Sequence, residues 1–116
     1  MISKKFRLLR WRVKKIMKTE KSERIGYFIV KKLPNKAEYH RYGLVLSRKL
    51  SKLATTRNQK RRQIYEAIRE VTRELSEMKD GKRDTYYDIV LIPFKQILTC
   101  NYKQIHQNVY DILTRI

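Results

Sequence analysis

The sequence predicts a small α+β domain, a two-layer sandwich in which helices pack on one sheet. Three observations support this fold class. The chain has 116 residues, the length of a single domain, here residues 1–116. It has only three Gly and two Pro, so its elements should be long and its loops few. Helical and β-type patterns follow each other in the order helix, two or three strands, helix, strand, helix, or αβββαβα with three strands.

The first half is predicted to contain one helix and an antiparallel pair of strands. Residues 8–18, LLRWRVKKIMK, have apolar residues at helical spacing between basic ones. These apolar positions are Leu9, Val13, Ile16 and Met17. Residues 25–33, IGYFIVKKL, are β-branched and aromatic and predict a strand. After a turn at PNKAE, residues 42–47, YGLVLS, alternate and predict its antiparallel partner.

A long helix is predicted to follow. Thr56 and Gln59 match the Thr-x-x-Gln capping box, so the helix should begin at Thr56 and run to about Met78, before a stop at Asp80 and Gly81. At about 100° per residue, one set of apolar residues falls on a single buried face. These residues are Ile64, Ile68, Val71, Leu75 and Met78.

The last two predicted elements are a strand and a helix. Residues 88–93, from Asp88 to Pro93, are predicted to form a strand buried on both faces, because most of them belong to an apolar run. The final helix begins at Tyr102, with Asn101 and Gln104 as its capping box. Its apolar stripe consists of Tyr102, Ile105, Val109, Ile112 and Ile116.

The charge is large and unevenly distributed. The formal net charge is +18, and residues 1–62 hold 21 Lys and Arg against three acids, Glu20, Glu23 and Glu38. The other 54 residues hold eight of each sign. Self-repulsion on this scale destabilises a free fold unless a polyanion offsets it, so nucleic acid is the first candidate partner.

A membrane surface is the second candidate partner, since basic segments also bind anionic lipid. The longest apolar run, Ile89 to Phe94, is far too short to span a bilayer. Residues 1–15 contain no uninterrupted apolar segment, which argues against a secretory signal. They are rich in Arg and free of acids, as in a transit peptide, but poor in Ser. We therefore expect no membrane partner.

The start of the long helix is predicted to bind phosphate. Arg57, Lys60, Arg61 and Arg62 cluster at the positive end of the helix dipole, where cations are disfavoured unless an anion is present. Asn58 could add hydrogen bonds, and Tyr65 a stacking face. The alternative is a solvated helix with ion pairs such as Glu66 with Arg69, which explains the second half of the helix.

These residues resemble the signature of the bacterial ribonuclease P protein component. In that family a strand ending in Ser-Lys/Arg-Lys is followed by Arg-Asn-Arg-x-Lys-Arg-x-x-Arg-Glu, which opens a long helix. The matching positions are Gly43, Ser47, Arg48, Lys49, Arg57, Asn58, Arg61, Arg62, Glu66, Ala67 and Arg69. VKKIMK, YYDIVLIP and NYKQIHQNVYDIL are similar to the family's first helix, last strand and last helix.

The chain departs from the family pattern at several positions. Gln59 stands where the third residue of Arg-Asn-Arg belongs, Tyr65 replaces an Arg, and one extra residue lies between Lys49 and Arg57. Lys60 stands at a usually apolar position and could restore the missing charge. The first helix of the family usually presents two Phe to a cleft, and here Val13 and Met17 occupy those positions.

The resemblance implies a function. The catalyst would be a ribonuclease P RNA that holds the magnesium ions, and the protein, itself without cofactor, would bind that RNA and the 5′ leader of precursor tRNA. RNA-binding residues would be Ser47, Arg48, Lys49, Arg57, Asn58, Lys60, Arg61, Arg62, Tyr65 and Arg69. Leader-cleft residues would be Val13, Met17, Tyr27 and Phe28. The resemblance also implies that the protein is a monomeric subunit of a cytoplasmic ribonucleoprotein. For the fold, it implies a mixed sheet with a left-handed strand-helix-strand crossover.

The residues themselves do not indicate a protein-borne active site or metal site. His40 and His106 lack the spacing of metal ligands, and Asp80, Asp84 and Asp88 lack that of an EF-hand. Cys100 is the single cysteine, and we expect it to pack in the core.

Two alternative function classes, and two alternative environments for Trp11, stay open at this stage. A ribosomal protein or general RNA chaperone would use a similar small sandwich. A DNA-binding regulator is the third class, although the sequence has no helix-turn-helix or zinc pattern. Trp11 could stack on a base or, as aromatic residues in helices more often do, pack into the core.

Overall fold

The computed structural model describes residues 3–78 and 85–116. The helices are α1 (Arg10–Met17), α2 (Ala54–Met78) and α3 (Tyr102–Arg115), and the strands are β1 (Glu23–Ile25), β2 (Phe28–Asn35), β3 (Arg41–Leu44) and β4 (Tyr86–Pro93). Two short 3₁₀ helices, Lys4–Phe6 and Lys95–Thr99, precede α1 and α3. The predicted α+β class and the order αβββαβα are confirmed.

The four strands form one mixed sheet in the order β1-β2-β4-β3. β2 pairs antiparallel with β1 and β4, whereas β3 pairs parallel with β4. The predicted antiparallel pairing of residues 25–33 with residues 42–47 is therefore wrong. β4 lies between these segments because it is the most apolar strand, and its residues 88–91 are all buried.

The predicted strand at residues 25–33 contains a hairpin turn. Ile25 pairs with Phe28 across Gly26 and Tyr27. Gly26 has φ +61°, a left-handed conformation that glycine adopts without steric cost. β1 thus ends at Ile25, and β2 continues to Asn35, through part of the predicted turn.

Helices cover both faces of the sheet. Ile89 and Leu91 of β4 point into the main hydrophobic core together with buried residues of α2 and α3 such as Ile64 and Ile105. Val90 points to the other face, where Lys31 is its partner on β2. The Lys31 Nζ donates to the carbonyl oxygens of Met17 and Thr19 at the end of α1. α1 therefore lies opposite α2 and α3.

α2 begins two residues earlier than predicted. Its first residue is Ala54, and the Arg57 N–H donates to the Leu53 carbonyl oxygen at 3.1 Å. Thr56 lies inside the helix, so the predicted capping box of Thr56 and Gln59 is wrong. The proposed stop at Asp80 and Gly81 lies outside the described residues. Of the predicted buried face, Ile64, Ile68 and Val71 are buried and Leu75 packs against the core.

The capping box of α3 is confirmed. The Gln104 N–H donates to Asn101 Oδ1 and the Asn101 N–H donates to Gln104 Oε1, both at 2.9 Å. α3 also contributes a buried polar side chain, Asn108, to the β1–β2 turn. Asn108 Oδ1 accepts from the Tyr27 N–H at 2.7 Å, and its Nδ2 donates to the Ile25 carbonyl at 3.1 Å.

A buried carboxylate joins α1 to three strands. Asp88 of β4 is fully buried and accepts hydrogen bonds from Arg12 of α1, Asn35 of β2 and Arg41 of β3. Burial alone would raise the pKa of Asp88, but these hydrogen bonds and the charge of Arg41 lower it below its usual value. Asp88 is therefore an ionised structural residue of the strand.

Trp11 does not pack into the core. Its side chain is 63% exposed on the outer side of α1, so the core-packing expectation is wrong. Cys100, by contrast, is buried in the main core, as expected. Within residues 3–78 and 85–116, no helix has the length and apolar character needed to cross a membrane.

Candidate nucleic-acid interface

The connection between β3 and α2 presents the first group of predicted site residues. Ser47, Arg48 and Lys49 are all exposed on a turn in which the Leu50 N–H donates to the Ser47 carbonyl oxygen at 3.0 Å. Leu50 is buried in the main core and holds this turn against the domain. Two cations and a hydroxyl are therefore presented on an anchored segment.

Arg57 ties this connection to α2. Its Nη1 donates to the Ser51 carbonyl oxygen at 2.7 Å, and the side chain is half-buried. One N–H group of its guanidinium thus fixes the connection, and the positive charge of Arg57 stays close to the N-terminus of α2.

Asn58, Arg61 and Arg62 form the exposed part of the first two turns of α2. Asn58 and Arg62 are exposed and Arg61 is half-buried. The Arg61 Nη1 donates to Asn58 Oδ1 at 2.6 Å, so the amide orients the guanidinium on the helix surface. No acid occurs between Glu38 and Glu66, and Glu66, the nearest acid along α2, pairs with Arg69.

The structure places Lys60 inside the protein rather than on this surface. Lys60 is only 7% exposed, and its Nζ donates to the Cys100 carbonyl oxygen at 2.9 Å. This bond joins α2 to the segment before α3. The same rotation of about 100° per residue puts Lys60 about 40° from Ile64, which was the sequence signal for a buried position.

Tyr65 is also mainly internal. It is 7% exposed and belongs to the main core. Burial raises the pKa of its hydroxyl, while the nearby positive charges of Arg7 and Arg61 act to lower it. The ring of Tyr65 therefore offers little surface for base stacking.

Arg69 marks the boundary of the basic surface. Its guanidinium forms an ion pair and hydrogen bonds with Glu66, one turn earlier in α2. The hydrogen bond from Arg69 lowers the pKa of Glu66. Arg69 is exposed but shares its charge with this acid. We call the surface formed by Ser47, Arg48, Lys49, Asn58, Arg61 and Arg62 the α2 basic surface.

The predicted leader-cleft residues are divided between the two faces of the sheet. Val13 and Met17 are half-buried on α1. Val13 packs closely on the backbone of β3 at Gly43, since a Cβ added to Gly43 would lie 2.8 Å from Val13 Cγ2. Phe28 is 0% exposed in the main core on the opposite face, so it does not line a cleft beside α1. Tyr27 is half-buried at the hairpin turn and packs against the same core.

An aromatic side chain that the sequence argument missed follows β4 on the side of the sheet that α1 covers. Ile29 of β2 and Ile92 of β4 are paired and share the α1 side of the sheet. Phe94 follows two residues after Ile92, and the Arg24 guanidinium carbon lies 4.3 Å from its ring centroid. Phe94, Ile92, Ser47 and Lys49 also line one groove. The alternation of β4, continued by two residues, was the available signal.

Both histidines have hydrogen-bond or ion-pair partners. His40 Nδ1 accepts from the Tyr87 N–H at 2.9 Å, among the rings of Tyr42, Tyr86 and Tyr87. His106 is not isolated, since its Nε2 lies 3.1 Å from Glu74 Oε1 and 3.8 Å from Glu70 Oε2. Both rings are half-buried, as expected of boundary residues.

Comparisons with known proteins find similarity over most of the chain. The sequence model of the Ribonuclease P family matches residues 2–116. A ribonuclease P protein component from Clostridioides difficile (strain 630) is 34% identical over 102 residues, covering 88% of this chain and 82% of that protein.

Two solved structures have the same fold. The ribonuclease P protein from Thermotoga maritima is 30% identical with a TM-score of 0.68, covering 93% of this chain and 96% of that one. A Staphylococcus aureus RNase P protein mutant with defective mRNA degradation activity is 23% identical with a TM-score of 0.73. That match covers 97% of this chain and 88% of the other.

Proposed function

This chain belongs to the ribonuclease P protein family, and on that premise we propose that it binds the catalytic ribonuclease P RNA and the 5′ leader of precursor tRNA. Membership makes it a protein component of an endoribonuclease complex that processes tRNA. The observation that carries the finer proposal is the α2 basic surface. It presents Arg48 and Lys49 on the turn before α2 and Arg61 and Arg62 on the first turns of α2, in a half of the chain that carries the whole net charge of +18.

We assign the α2 basic surface to the catalytic RNA. A phosphate backbone is bound by clustered Lys and Arg side chains with additional contacts from hydroxyl and amide groups, which Ser47 and Asn58 supply. Arg57 and Arg69 add positive charge at its edges. Lys60 and Tyr65 contribute indirectly, because they hold the N-terminal turns of α2 against the core.

We assign the leader to the cleft between α1 and the sheet. Val13 and Met17 form its helical wall, and Ile29, Ile92 and Phe94 supply the apolar and aromatic surface on the sheet side. A leader of variable sequence is best held by stacking and backbone charge, since these interactions do not depend on base identity. Phe94 takes the stacking role that the replacement of two Phe leaves open on α1.

Magnesium belongs to the RNA in this proposal. Mg²⁺ prefers carboxylate, carbonyl and water oxygens, whereas the α2 basic surface presents mainly guanidinium and ammonium groups. The protein would act in the cytoplasm as one copy in the ribonucleoprotein. Its cations would neutralise phosphate repulsion between catalytic RNA and substrate, and this effect is largest when little magnesium is present.

The test is cleavage of a leader-bearing precursor tRNA by the cognate catalytic RNA at low magnesium, with and without the protein. We expect stimulation by the wild-type chain and a strong reduction with Arg61→Ala/Arg62→Ala. Glu74→Gln, on a different face of α2, is the matched control and should stimulate normally. A general RNA chaperone would be favoured instead if the protein did not stimulate cleavage and bound ribosomal RNA as tightly as leader-bearing precursor tRNA.

A further inference from the structure

The outer face of α1 combines an exposed indole with lysines. Trp11 is 63% exposed, although it is the largest side chain in the protein. It lies roughly opposite the buried Ile16 on the helix. Lys14, Lys15 and Lys18 follow Trp11 at three, four and seven residues, so they share its face, and all three are exposed.

This face carries positive charge without local compensation. The chain has eight Lys and Arg before its first acid, Glu20, and α1 itself contains no acid. Among the described residues, neither a second ring nor a cationic side chain lies over the Trp11 indole. Both the indole and the neighbouring ammonium groups are therefore available to a partner.

The helix that carries Trp11 is held firmly. Arg12, the next residue, donates to the buried Asp88 at 2.7 Å. Lys31 donates to the carbonyl oxygens of Met17, the last residue of the helix, and of Thr19 just after it, and Ile16 is buried. A partner that binds Trp11 would not have to order a flexible segment, so little binding energy would be lost.

We propose that the outer face of α1 is a second RNA-binding surface, where Trp11 stacks on an unpaired base and Lys14, Lys15 and Lys18 contact phosphates of the same strand. The proposal rests on the proposed function, because it takes RNA as the partner of the chain. The surface differs from the side of α1 that carries Val13 and Met17, and from the helical part of the α2 basic surface, Asn58, Arg61 and Arg62, which lies across the sheet.

RNA fits this face better than a lipid surface does. An interfacial helix binds a membrane by inserting an apolar face, and the apolar face of α1 is already buried at Ile16. A single indole surrounded by lysines offers instead one stacking platform and several phosphate contacts, the combination that binds single-stranded nucleic acid.

Trp11 is the only tryptophan of the chain, so its fluorescence reports directly on this site. The full-length protein would be titrated with an eight-nucleotide adenylate RNA, an abasic strand of equal length, and vesicles containing anionic lipid. We expect the adenylate strand to quench Trp11 emission and the abasic strand to leave it nearly unchanged. Equal effects of both strands, or a blue shift with vesicles only, would overturn the proposal.

Variants give a second measurement. With fluorescein-labelled adenylate RNA, Trp11→Ala should weaken binding about 5- to 150-fold, whereas Trp11→Phe should retain most of the affinity. Leu9→Ala, which removes another exposed apolar side chain next to the helix, is the matched control and should bind normally. Affinity unchanged in Trp11→Ala would refute the stacking role. Thermal unfolding would confirm that all variants fold.

The lysines can be tested in the same assay. Replacing Lys14, Lys15 and Lys18 with Gln should reduce the slope of log affinity against log salt by about 2. An unchanged slope would contradict their phosphate contacts. Neither assay uses the catalytic RNA or cleavage. Quenching without stimulation of cleavage would therefore count against the proposed function alone, and stimulation without quenching would count against this surface alone.

Discussion

Arg12 on α1 donates a 2.7 Å hydrogen bond from its Nε to Asp88 on β4, and this contact fixes the first helix to the central strand. Asp88 has no exposed surface, and its other oxygen accepts from Arg41 and Asn35. One carboxylate therefore links four elements. It holds α1 in place on the sheet, and with it the side chains of Val13, Met17 and Trp11.

Asp88→Asn should destabilise the fold. It removes the negative charge that compensates two arginines, and breaking a buried ion pair in this way costs about 3 to 5 kcal/mol. Chemical denaturation monitored by circular dichroism would measure the change in the free energy of unfolding. Asp111→Asn, at an exposed position of α3, is the control and should change that free energy by less than about 0.5 kcal/mol.

The contribution of Asp88 should depend on pH. Its pKa is lowered in the folded state, so the carboxylate stabilises the fold fully above its unfolded pKa of about 3.9. That stabilisation is lost as the pH falls through the folded pKa. The difference in unfolding free energy between wild type and Asp88→Asn should thus be constant near neutral pH and shrink below about pH 4. A difference that grew on acidification would contradict the assignment.

Lys60 and Arg62, two residues apart, should behave oppositely. Lys60→Ala leaves the Cys100 carbonyl without its donor, which should lower the free energy of unfolding by about 1 to 3 kcal/mol. Arg62→Ala should leave stability within about 0.5 kcal/mol but reduce the salt slope of RNA binding by nearly one. Denaturation and salt-dependent binding to the catalytic RNA measure the two effects. If Lys60→Ala lowered the salt slope as much as Arg62→Ala, Lys60 would be a phosphate ligand.

Gly26→Ala should destabilise the β1–β2 hairpin. The left-handed conformation costs a non-glycine residue about 1 to 2 kcal/mol, and the new Cβ would clash with Asn108 Oδ1. Asn108→Ala removes the clash but also the two hydrogen bonds to the turn. A double-mutant cycle should therefore show that the double variant loses less stability than the two single variants add up to. Strict additivity would show that Gly26 and Asn108 act independently.

The sequence predicted the elements better than their pairing. The helix capped by Asn101 and Gln104 was correct because its signal is local. Residues 42–47 were assigned the wrong partner because pairing follows from which strands are most completely buried, and that depends on the whole fold. The β1–β2 turn was missed because the apolar pattern around Gly26 is uninterrupted, and the turn is stabilised by Asn108, more than 80 residues away.

The candidate site shows the same division. The motif correctly predicts the exposure of Arg48, Lys49, Asn58 and Arg62. Burying a charged or polar side chain without a hydrogen-bond partner costs free energy, so such residues stay in water. Lys60, Tyr65 and Phe28 were assigned to surfaces but are buried. Their burial depends on the positions of Cys100, the core and the opposite sheet face, which residue type alone does not specify.

The amino-acid sequence by itself determined the charge asymmetry, the periodicity of the helices and the basic motif at the start of α2, since each is a property of composition or of residues close in the chain. The tertiary structure decided the strand order, the burial of Lys60, the binding of Asp88 by three elements and the exposure of Trp11. These features depend on contacts between segments that are distant in the sequence, and such contacts contribute free energy only when the segments pack together.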